Sequence, residues 1–368
     1  MNLETLREQL NALDRELLEL AARRQALSTE IARVKRESGL PTRDFGRERE
    51  VLTRARAYAA DLGISPALAE SLLRPLIHDS LATQEHARVA AQRHGSGKRA
   101  LVIGGRGRMG RWFVDYLASQ GFAVEVADPA GGVEGFPHRA RWQDSALEED
   151  LIVLATPLGT TATTLAELAA RRPRGLIFDI GSLKTPLRGG LEALATAGCR
   201  VTSIHPMFGP DTDMLSGRHV IFIDLGDAQA LVQARELFAH TMAEQVVMSL
   251  DEHDRLIAFV LGLSHALNIA FFTALSESGE AAPHLAKLSS TTFDAQLDVA
   301  SKVAAESPAL YFEIQSLNAY GDESLRALDE AVTRLRRIVA EHDESAFANL
   351  MTRGKAYLDG RTAARTND

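Results

Sequence analysis

Two cations near the N-terminus interrupt an otherwise apolar pattern. Between residues 3 and 38, leucine, isoleucine and valine recur at alternating steps of three and four, which predicts a helix with one apolar stripe. Arg24 occupies a position in that stripe where an apolar residue is expected. Lys35 follows about three turns later and points to nearly the same side. Because a buried charge needs a partner, both cations require either an internal carboxylate or an anionic ligand.

More polar side chains follow in the next two helical segments. They are Asp44, Arg47, Glu48, Ser80 and Gln84. Ser80 and Gln84 stand four residues apart and therefore share one helix face. Arg7 is too far along the first helix to share a site with Arg24, so we expect it to face the site of a second copy. The structural alternative is that Arg24 and Lys35 pair with internal carboxylates such as Glu48.

A glycine-rich turn follows a short apolar strand at residues 100–103. Gly105, Gly107 and Gly110 fit the pattern GxGxxG, and Asp128 stands at the end of the next expected strand. In this context, glycines let backbone N–H groups approach a pyrophosphate at a helix N-terminus. Asp128 is expected to bind a ribose 2′-hydroxyl and to repel a 2′-phosphate, which favours NAD over NADP. A glycine turn that binds no nucleotide is the alternative.

Two further motifs follow expected strands. Ser182 lies in the segment IGSLK, and His205 lies in SIHPMFGPD. Both motifs are expected at the carboxyl edge of a parallel sheet, where ligands bind in such folds. A lone histidine is usually structural, but His205 stands between a strand end and a proline-containing turn. This placement makes His205 a candidate for chemistry.

The elements that must position these residues fall into three groups. Helices are predicted at residues 3–38, 47–61 and 66–91, and strands at 100–103, 122–127, 151–155, 176–180, 201–204 and 219–223. Helical stretches between most strands predict a doubly wound, largely parallel sheet. We therefore expect an all-α domain over 1–92, an α/β Rossmann-type domain over 98–248 and an all-α domain over 249–368.

Composition narrows the class of protein. A chain of 368 residues with a formal net charge of -8 is expected to form two or three domains and not to bind nucleic acid in general. Cys199 is the single cysteine, so an intramolecular disulfide is impossible. The charged N-terminus and the lack of an uninterrupted apolar run of ~18 residues predict a cytoplasmic protein without a membrane span. The longest apolar stretch, 256–275, is predicted to be a buried core helix.

The N-terminal part resembles the all-helical chorismate mutases of the AroQ type. The resemblance covers roughly residues 3–86 and is carried by LREQLNALDRELLELAARRQAL, VKRESGLP with RDFGRERE, and HDSLATQEH. It implies a dimer that intertwines its long helices. The residues that match the family's active site are Arg7, Arg24, Lys35, Asp44, Arg47, Glu48, Ser80 and Gln84.

The resemblance also implies their roles. Arg7 from the partner chain, Arg24 and Arg47 would hold the two carboxylates of chorismate, because guanidinium groups bind carboxylates bidentately. Lys35 and Gln84 would donate to the ether oxygen, and Glu48 would accept from the ring hydroxyl. The rearrangement to prephenate is pericyclic, so positioning and charge stabilisation are the available means of catalysis.

Residues 99–358 look like the prephenate dehydrogenases of the TyrA type. The resemblance rests on VIGGRGRMGR, ATPL, DIGSLK, HPMFGPD, DEHD and ALYFEI. It implies that His205 hydrogen-bonds the ring hydroxyl of prephenate with help from Ser182, while hydride leaves for NAD and CO2 departs. The expected cofactor-binding residues are Gly105, Gly107, Arg108, Met109, Gly110, Asp128, Thr156 and Pro157, and no metal is expected.

Two residues of the C-terminal part enter through the same resemblance. His265 matches a position near the substrate side chain and the inhibitor site, with tyrosine as a possible feedback ligand. Lys302 stands where the family usually has an arginine that grips a prephenate carboxylate. Lysine keeps the charge but loses the bidentate fork. This departure leaves arogenate or 4-amino-4-deoxyprephenate open as the substrate.

Other functions remain possible from the residues. The helical part could serve only for dimerisation or for sensing an aromatic ligand, and GxGxxG alone also fits a generic hydroxyacid dehydrogenase. The second alternative leaves HPMFGPD and the N-terminal polar set unexplained. We expect a homodimer, because the long first helix needs a partner and the apolar C-terminal helices could pack across a two-fold axis.

Overall fold

The computed structural model describes residues 2–281, 284–285 and 287–366, with side chains to residue 360. The ends of the expected terminal domains, at Met1 and at residues 367–368, therefore lie outside the described residues. The chain divides into two compact units. The first comprises residues 1–182 and 187–250, and the second comprises 183–186 and 251–368.

Three helices open the first unit. They are α1 (Leu3–Glu37), α2 (Phe45–Leu62) and α3 (Pro66–Gln92). Each begins at a side-chain cap, since Asn2, Asp44 and Ser65 accept from the backbone N–H three residues on. Gly63 ends α2 in the left-handed conformation, with φ of 68°. The predicted helices therefore agree with the structure to within a turn.

The apolar stripe of α1 is largely uncovered within one chain. Leu10 is 59% exposed, Leu17 57% and Leu27 67%. In its C-terminal half, α1 contacts α3 through polar side chains such as Arg24 and Ser28. A single copy of the helical part thus leaves much of the stripe facing solvent.

An eight-stranded sheet forms the rest of the first unit, in the order β3-β2-β1-β4-β5-β6-β7-β8. The strands are β1 (Arg99–Ile103), β2 (Ala123–Ala127), β3 (His138–Arg139), β4 (Leu151–Leu154), β5 (Leu176–Asp179), β6 (Val201–Pro206), β7 (His219–Ile223) and β8 (Glu244–Met248). All neighbouring pairs are parallel except β6 and β7. The strand order reverses between β1 and β4, which creates a crevice at their carboxyl ends.

Helices connect the strands and cover the sheet. They are α4 (Arg108–Ser119), α5 (Leu158–Arg171), α6 (Arg188–Thr196) and α7 (Ala228–Glu236), with short 3-10 turns at Trp142–Asp144 and Thr185–Leu187. Phe113, Phe178 and Phe222 are fully buried in the core that α4 and the central strands share. This core holds the carboxyl ends of the strands in fixed positions.

The second unit is helical in its described residues, as the sequence predicts. It contains most of α8 (Leu250–Ile257), a π-helical segment (Ala258–Leu263), α9 (Ser264–Glu277), α10 (Thr291–Ala304), α11 (Pro308–Ser316), α12 (Gly321–Ala340) and α13 (Glu344–Thr366). The π-helical segment ends two residues before His265. Such segments often occur beside functional residues.

The prediction that residues 256–275 form a buried core helix is wrong for a single chain. Phe259 is 42% exposed, Val260 54% and Leu267 48%. Among the described residues, Leu250–Glu277 is the one helical stretch that is long and apolar enough to span a membrane. Core helices of soluble proteins meet the same criterion, so length and composition alone do not assign a membrane span to this helix. No feature of the sequence indicates which apolar helix is covered by the rest of the same chain.

Candidate active sites

The first candidate site lies between α1 and α3. The Arg24 guanidinium donates from Nη1 to the carbonyl oxygen of Leu76 at 2.8 Å and to Ser80 Oγ at 2.9 Å. Both acceptors are neutral, and partial burial lowers the pKa of Arg24. Within the described chain, the Arg24 charge is thus held by uncharged groups, which leaves it available to an anion. No ion pair joins Arg24 to a carboxylate among the residues that the structure describes, so the alternative of an internal carboxylate partner is wrong for Arg24.

One turn further along both helices, Ser28 faces Gln84. The Gln84 amide Nε2 donates to Ser28 Oγ at 2.8 Å, and the side chain is buried. Its Oε1 atom is also buried and has no hydrogen-bond partner among the described residues. A buried amide oxygen without a hydrogen bond is expected to gain a donor, either from a bound ligand or by rotation of the side chain.

Lys35 lies at the far end of the same row. Its Nζ donates to the carbonyl oxygen of Thr42 at 2.8 Å, so Lys35, like Arg24, is held by a neutral acceptor. A small cavity there has mostly cationic and neutral polar lining. The lining residues are Ala32, Lys35, Arg36, Leu40, Thr42, Gln84 and Arg88. This arrangement suits a ligand that carries carboxylates.

The structure does not bring every expected residue into this row. Glu48 forms a bidentate ion pair with Arg43, with Nε–Oε1 at 2.7 Å and Nη2–Oε2 at 3.0 Å. Arg47 is exposed and pairs with Glu50 at 2.7 Å, while Asp44 caps α2 by accepting from the Arg47 backbone N–H. Glu48 is thus not the carboxylate that neutralises Arg24 or Lys35.

Arg7 is exposed on α1. It precedes Arg24 by seventeen residues, or roughly 26 Å at the rise of an α-helix. One chain therefore keeps Arg7 away from the row between α1 and α3.

Some polar residues around this site were not predicted from the sequence. Arg88 lies one turn beyond Gln84 and donates to Thr42 Oγ1 at 3.2 Å. Gln25 contacts both Ser80 and Asp79. The i,i+4 spacing from Ser80 to Gln84 extends to Arg88, so Arg88 could have been found from the sequence. Arg43 had no such periodic signal.

The second candidate site begins at the glycine turn after β1. Gly104 has φ of 84°, and a Cβ there would lie 2.6 Å from the carbonyl oxygen of Ala155. A Cβ on Gly105 would lie 2.8 Å from Val126 Cγ1, and one on Gly110 would collide with the Gly104 carbonyl oxygen. Gly107 is the N-cap of α4. Side chains are excluded at Gly104, Gly105 and Gly110, so the backbone at the N-terminus of α4 stays open to an anion.

Asp128 closes this turn from the end of β2. Its Oδ2 accepts from the Arg106 backbone N–H at 3.1 Å and its Oδ1 from that of Ala130 at 2.9 Å. The carboxylate has further acceptor sites for a ligand hydroxyl. Beside it, a cavity of about 280 Å³ opens at the ends of β1, β2 and β4, at the reversal of strand order.

Thr156 lines that cavity, and its Oγ1 lies 2.8 Å from Thr161 Oγ1. Pro157 is the N-cap of α5. Met109 packs against the core from α4, and the Arg108 guanidinium forms an ion pair with Asp211 at 2.8 Å. Of the expected cofactor residues, Thr156 lines this cavity, Arg108 lines a different cavity, and the Met109 side chain contributes to the core.

Ser182 and His205 belong to adjacent strands and the segments that follow them. In the register of β5 and β6, Asp179 lies opposite Ser203, so Ser182 and His205 both stand just beyond that pair. His205 is 4% exposed and lies opposite Ile221 of the antiparallel β7. A buried histidine and a half-buried serine thus lie at the carboxyl edge of the sheet.

In the second unit, the His265 ring packs against the ring of Tyr311 in α11, with centroids 4.2 Å apart and the planes tilted by 39°. Burial lowers the pKa of His265, and its buried Nδ1 has no hydrogen-bond partner within the described chain. The ring is therefore neutral at neutral pH. Lys302 is exposed in the last turn of α10.

The DEHD motif is part of a buried polar network. Asp254 accepts from the Lys184 backbone N–H at 2.9 Å, from the Thr185 backbone N–H at 2.5 Å and from His253 Nδ1 at 2.7 Å. Burial by itself would raise the pKa of Asp254, but these hydrogen bonds outweigh it and lower the pKa. The carboxylate fixes the segment that directly follows Ser182 in the chain.

We expect Asp254→Asn to destabilise the protein by about 3 kcal/mol at neutral pH, because an amide leaves buried donors without an acceptor. Since the folded pKa is lowered, the stabilisation is present above the ordinary carboxyl range and is lost as the pH falls through the folded value. Urea unfolding followed by circular dichroism measures the midpoint. The control is Asp251→Asn, the same change at an exposed residue nearby. Equal urea midpoints for the two variants would show that the Asp254 carboxylate does not stabilise the fold.

Three models of known protein families match successive parts of the chain. A chorismate mutase type II model matches residues 6–85. The prephenate dehydrogenase nucleotide-binding domain matches residues 135–247, and the prephenate dehydrogenase dimerization domain matches residues 249–353. The glycine turn at 104–110 precedes the second match, so its assignment rests on the geometry above.

Curated relatives agree with these matches. A T-protein of Enterobacter agglomerans is 29% identical over 313 residues, which cover 85% of this chain and 81% of the relative. A 4-amino-4-deoxyprephenate dehydrogenase of Streptomyces pristinaespiralis is 30% identical over 271 residues, or 71% of this chain and 91% of the relative.

Solved structures support the fold. A prephenate dehydrogenase from Aquifex aeolicus, solved with hydroxyphenyl propionate and NAD+, superposes with a TM-score of 0.58 at 18% identity, over 71% of this chain and 96% of that one. A Synechocystis arogenate dehydrogenase gives a TM-score of 0.56 at 16% identity, over 72% and 99% of the two chains. At such low identity these likenesses show the fold alone.

Proposed function

Because the chain belongs to the prephenate dehydrogenase family and also carries a type II chorismate mutase domain, we propose that it catalyses two consecutive steps of tyrosine biosynthesis. The first step rearranges chorismate to prephenate. The second oxidatively decarboxylates prephenate with NAD+ to 4-hydroxyphenylpyruvate, CO2 and NADH. The observation that carries the proposal is the presence of both domains in one chain, where the product of one is the substrate of the other.

The mutase step needs a site that folds the substrate and stabilises charge on the breaking ether bond. Arg24 and Lys35 have neutral partners in the chain, so their charges can serve the substrate. We assign Arg24, Arg47 and the Arg7 of a second copy to the carboxylates, with Asp44 and Ser80 orienting neighbouring groups. Gln84 and Lys35 would donate to the ether oxygen, and Glu48 would accept from the ring hydroxyl.

The residues of the nucleotide crevice fit NAD. Three of the glycines, Gly104, Gly105 and Gly110, leave no room for a Cβ, and Asp128 places a carboxylate where a 2′-phosphate would be repelled. When bound, NAD supplies the hydride acceptor. The residues proposed to hold it are Gly105, Gly107, Arg108, Met109, Gly110, Asp128, Thr156 and Pro157.

His205 is proposed to bind the ring hydroxyl of prephenate and to accept its proton as hydride leaves the same carbon, with Ser182 assisting. The ring carboxylate then leaves as CO2, its bonding electrons make the ring aromatic, and the ring oxygen takes back the proton from His205 to give the phenol. His265 and Lys302 are proposed substrate-binding residues, and tyrosine is a possible feedback ligand. We place the three domains at 1–92, 98–248 and 249–368, in a cytoplasmic enzyme.

A homodimer is part of the proposal. The α1 stripe is exposed in one chain, and the second unit presents Val332, Val339 and Leu267 at 54%, 57% and 48% exposure. The matched C-terminal family model is described as a dimerization domain. Light scattering of the purified protein should give the mass of two chains, and a monodisperse monomer at micromolar concentration would contradict the proposal.

Separate assays of the two steps test the function. Purified protein should consume chorismate without NAD, and should produce NADH from prephenate and NAD. Dehydrogenase turnover without mutase turnover would leave the helical domain with only a dimerising or sensing role. Turnover of neither substrate would overturn the proposal.

The second candidate substrate is 4-amino-4-deoxyprephenate. It is favoured by the name of the Streptomyces relative and by Lys302 in place of the family arginine. Arogenate is a further candidate of the same class. Comparing kcat/KM for these compounds with that for prephenate decides among them.

We expect Lys302→Arg to lower the KM for prephenate about tenfold with little change in kcat, because a guanidinium binds a carboxylate through two hydrogen bonds. Initial rates of NADH formation measure both constants. The matched control is Lys287→Arg, which makes the same change elsewhere in the second unit. An unchanged KM would show that Lys302 does not contact the prephenate carboxylate.

A further inference from the structure

Arg43 lies in the loop between α1 and α2 and uses three of its nitrogen atoms. Nε and Nη2 hold the two oxygens of Glu48 at 2.7 and 3.0 Å, while Nη1 donates to Ser216 Oγ at 2.5 Å. The guanidinium also lies 4.3 Å from the ring centroid of Phe45. The Arg43 and Glu48 side chains are only 26% and 20% exposed. This geometry fixes the plane of the guanidinium and, through it, the plane of the Glu48 carboxylate.

Ser216 belongs to the nucleotide-binding domain and not to the mutase helices. It lies in the segment 207–218, which connects β6, the strand of His205, to β7. The same segment is held at a second point, because the Leu215 backbone N–H donates to Glu85 Oε2 at 2.7 Å. Glu85 is 2% exposed and directly follows Gln84 on α3.

These contacts join the segment after His205 to Arg43 and Glu85. Both residues directly follow a residue that lines the small cavity of the mutase site, Thr42 and Gln84. We propose that Arg43 is a positioning residue of the chorismate mutase, and that Ser216 of the nucleotide-binding domain holds Arg43 in the orientation that aims Glu48 at the substrate hydroxyl. The inference rests on the proposed role of Glu48. Its new content is that the mutase site is completed by a side chain of the dehydrogenase half.

The lone pairs of the carboxylate make this role possible. An ionised Glu48 offers about four acceptor positions, of which the Arg43 fork takes one on each oxygen. One position on each oxygen stays open to a ligand hydroxyl. Without Arg43, the Glu48 side chain is free to rotate, and productive alignment with the hydroxyl is lost in part of the population.

The test is Ser216→Ala, which removes the contact from the dehydrogenase half and leaves the Arg43–Glu48 pair in place. We expect mutase kcat/KM to fall about fivefold, mainly in kcat, which corresponds to roughly one hydrogen bond. Arg43→Ala should lower it about 50-fold, because the fork is removed as well. Arg43→Lys should resemble Arg43→Ala, since lysine cannot form the fork.

A double variant separates positioning from general damage. Arg43→Ala with Ser216→Ala should be no slower than Arg43→Ala alone, because Ser216 acts through Arg43. Ser119→Ala, an exposed serine bonded within its own helix, is the matched control and should keep wild-type mutase rates. Unfolding midpoints of all variants report any general loss of stability.

The outcomes are distinct. Wild-type mutase constants in Ser216→Ala, or a Ser216→Ala effect that persists in the Arg43→Ala background, would overturn the inference and leave the proposed function intact. Absence of mutase turnover in the wild-type protein would overturn the proposed function and the inference with it.

Discussion

Replacing His205 with asparagine is expected to lower kcat for NADH formation from prephenate by about 10³-fold, while chorismate consumption continues at the wild-type rate. Asparagine is smaller and polar and can still hydrogen-bond a hydroxyl, but it cannot accept its proton. His205 lies buried at the carboxyl end of β6, where an asparagine fits without adding volume. Initial rates with each substrate in turn measure the two effects.

The control is His219→Asn, on the neighbouring strand. The His219 side chain is 42% exposed, and its Nε2 lies 2.7 Å from Glu244 Oε2 of β8. It should leave both activities near wild type. A His205→Asn enzyme with more than a tenth of the wild-type dehydrogenase rate would remove His205 from the role of proton acceptor.

The second large effect concerns the mutase. Gln84→Glu should lower mutase kcat at neutral pH by about 10²-fold or more, because an ionised carboxylate cannot donate to the ether oxygen and repels the charge that develops there. Below the pKa of the new carboxyl, the protonated group donates again. The rate of the variant should therefore rise as the pH falls, whereas the wild-type amide does not titrate.

Burial brings this pH dependence of the rate into a measurable range. Gln84 is 7% exposed, so the pKa of a carboxyl in its place is expected to lie above the ordinary carboxyl range. Gln92→Glu makes the same chemical change at the exposed end of α3 and should leave the pH profile unchanged. A Gln84→Glu enzyme with wild-type rates at neutral pH would show that this side chain does not donate to the ether oxygen.

Much of the fold could be predicted from periodicity. The three-four spacing of leucines marked α1, and compact apolar runs marked the buried strands from β1 to β7, apart from β3. The strands β3 and β8 were missed. β3 has only two residues, and β8 is half-exposed at the sheet edge with an apolar run of just three residues, 246–248, after Glu244 and Gln245.

The candidate sites were predictable where a single element carries the signal. Arg24 stood out because it interrupts an apolar stripe, and the glycine turn because of its spacing between strand and helix. Arg43 and Glu85 were missed because their partners, Ser216 and Leu215, lie more than a hundred residues away. Such contacts arise from tertiary folding and leave no periodic pattern.

The exposed helix Leu250–Glu277 illustrates a related limit. Its apolar composition predicted burial, but composition does not say which surface covers a helix. In one chain much of its apolar surface faces solvent. Covering by a second copy is the proposal that the light-scattering measurement tests.

The central claim is tested most directly by following NADH when chorismate and NAD are the only substrates given to the purified protein. We expect NADH formation from the wild type, a rate about 10³-fold lower from His205→Asn, and restored NADH formation in the Gln84→Glu variant when prephenate is added. NADH from chorismate in wild type and His205→Asn alike, or none from wild-type protein with either chorismate or prephenate, would contradict the two-step enzyme.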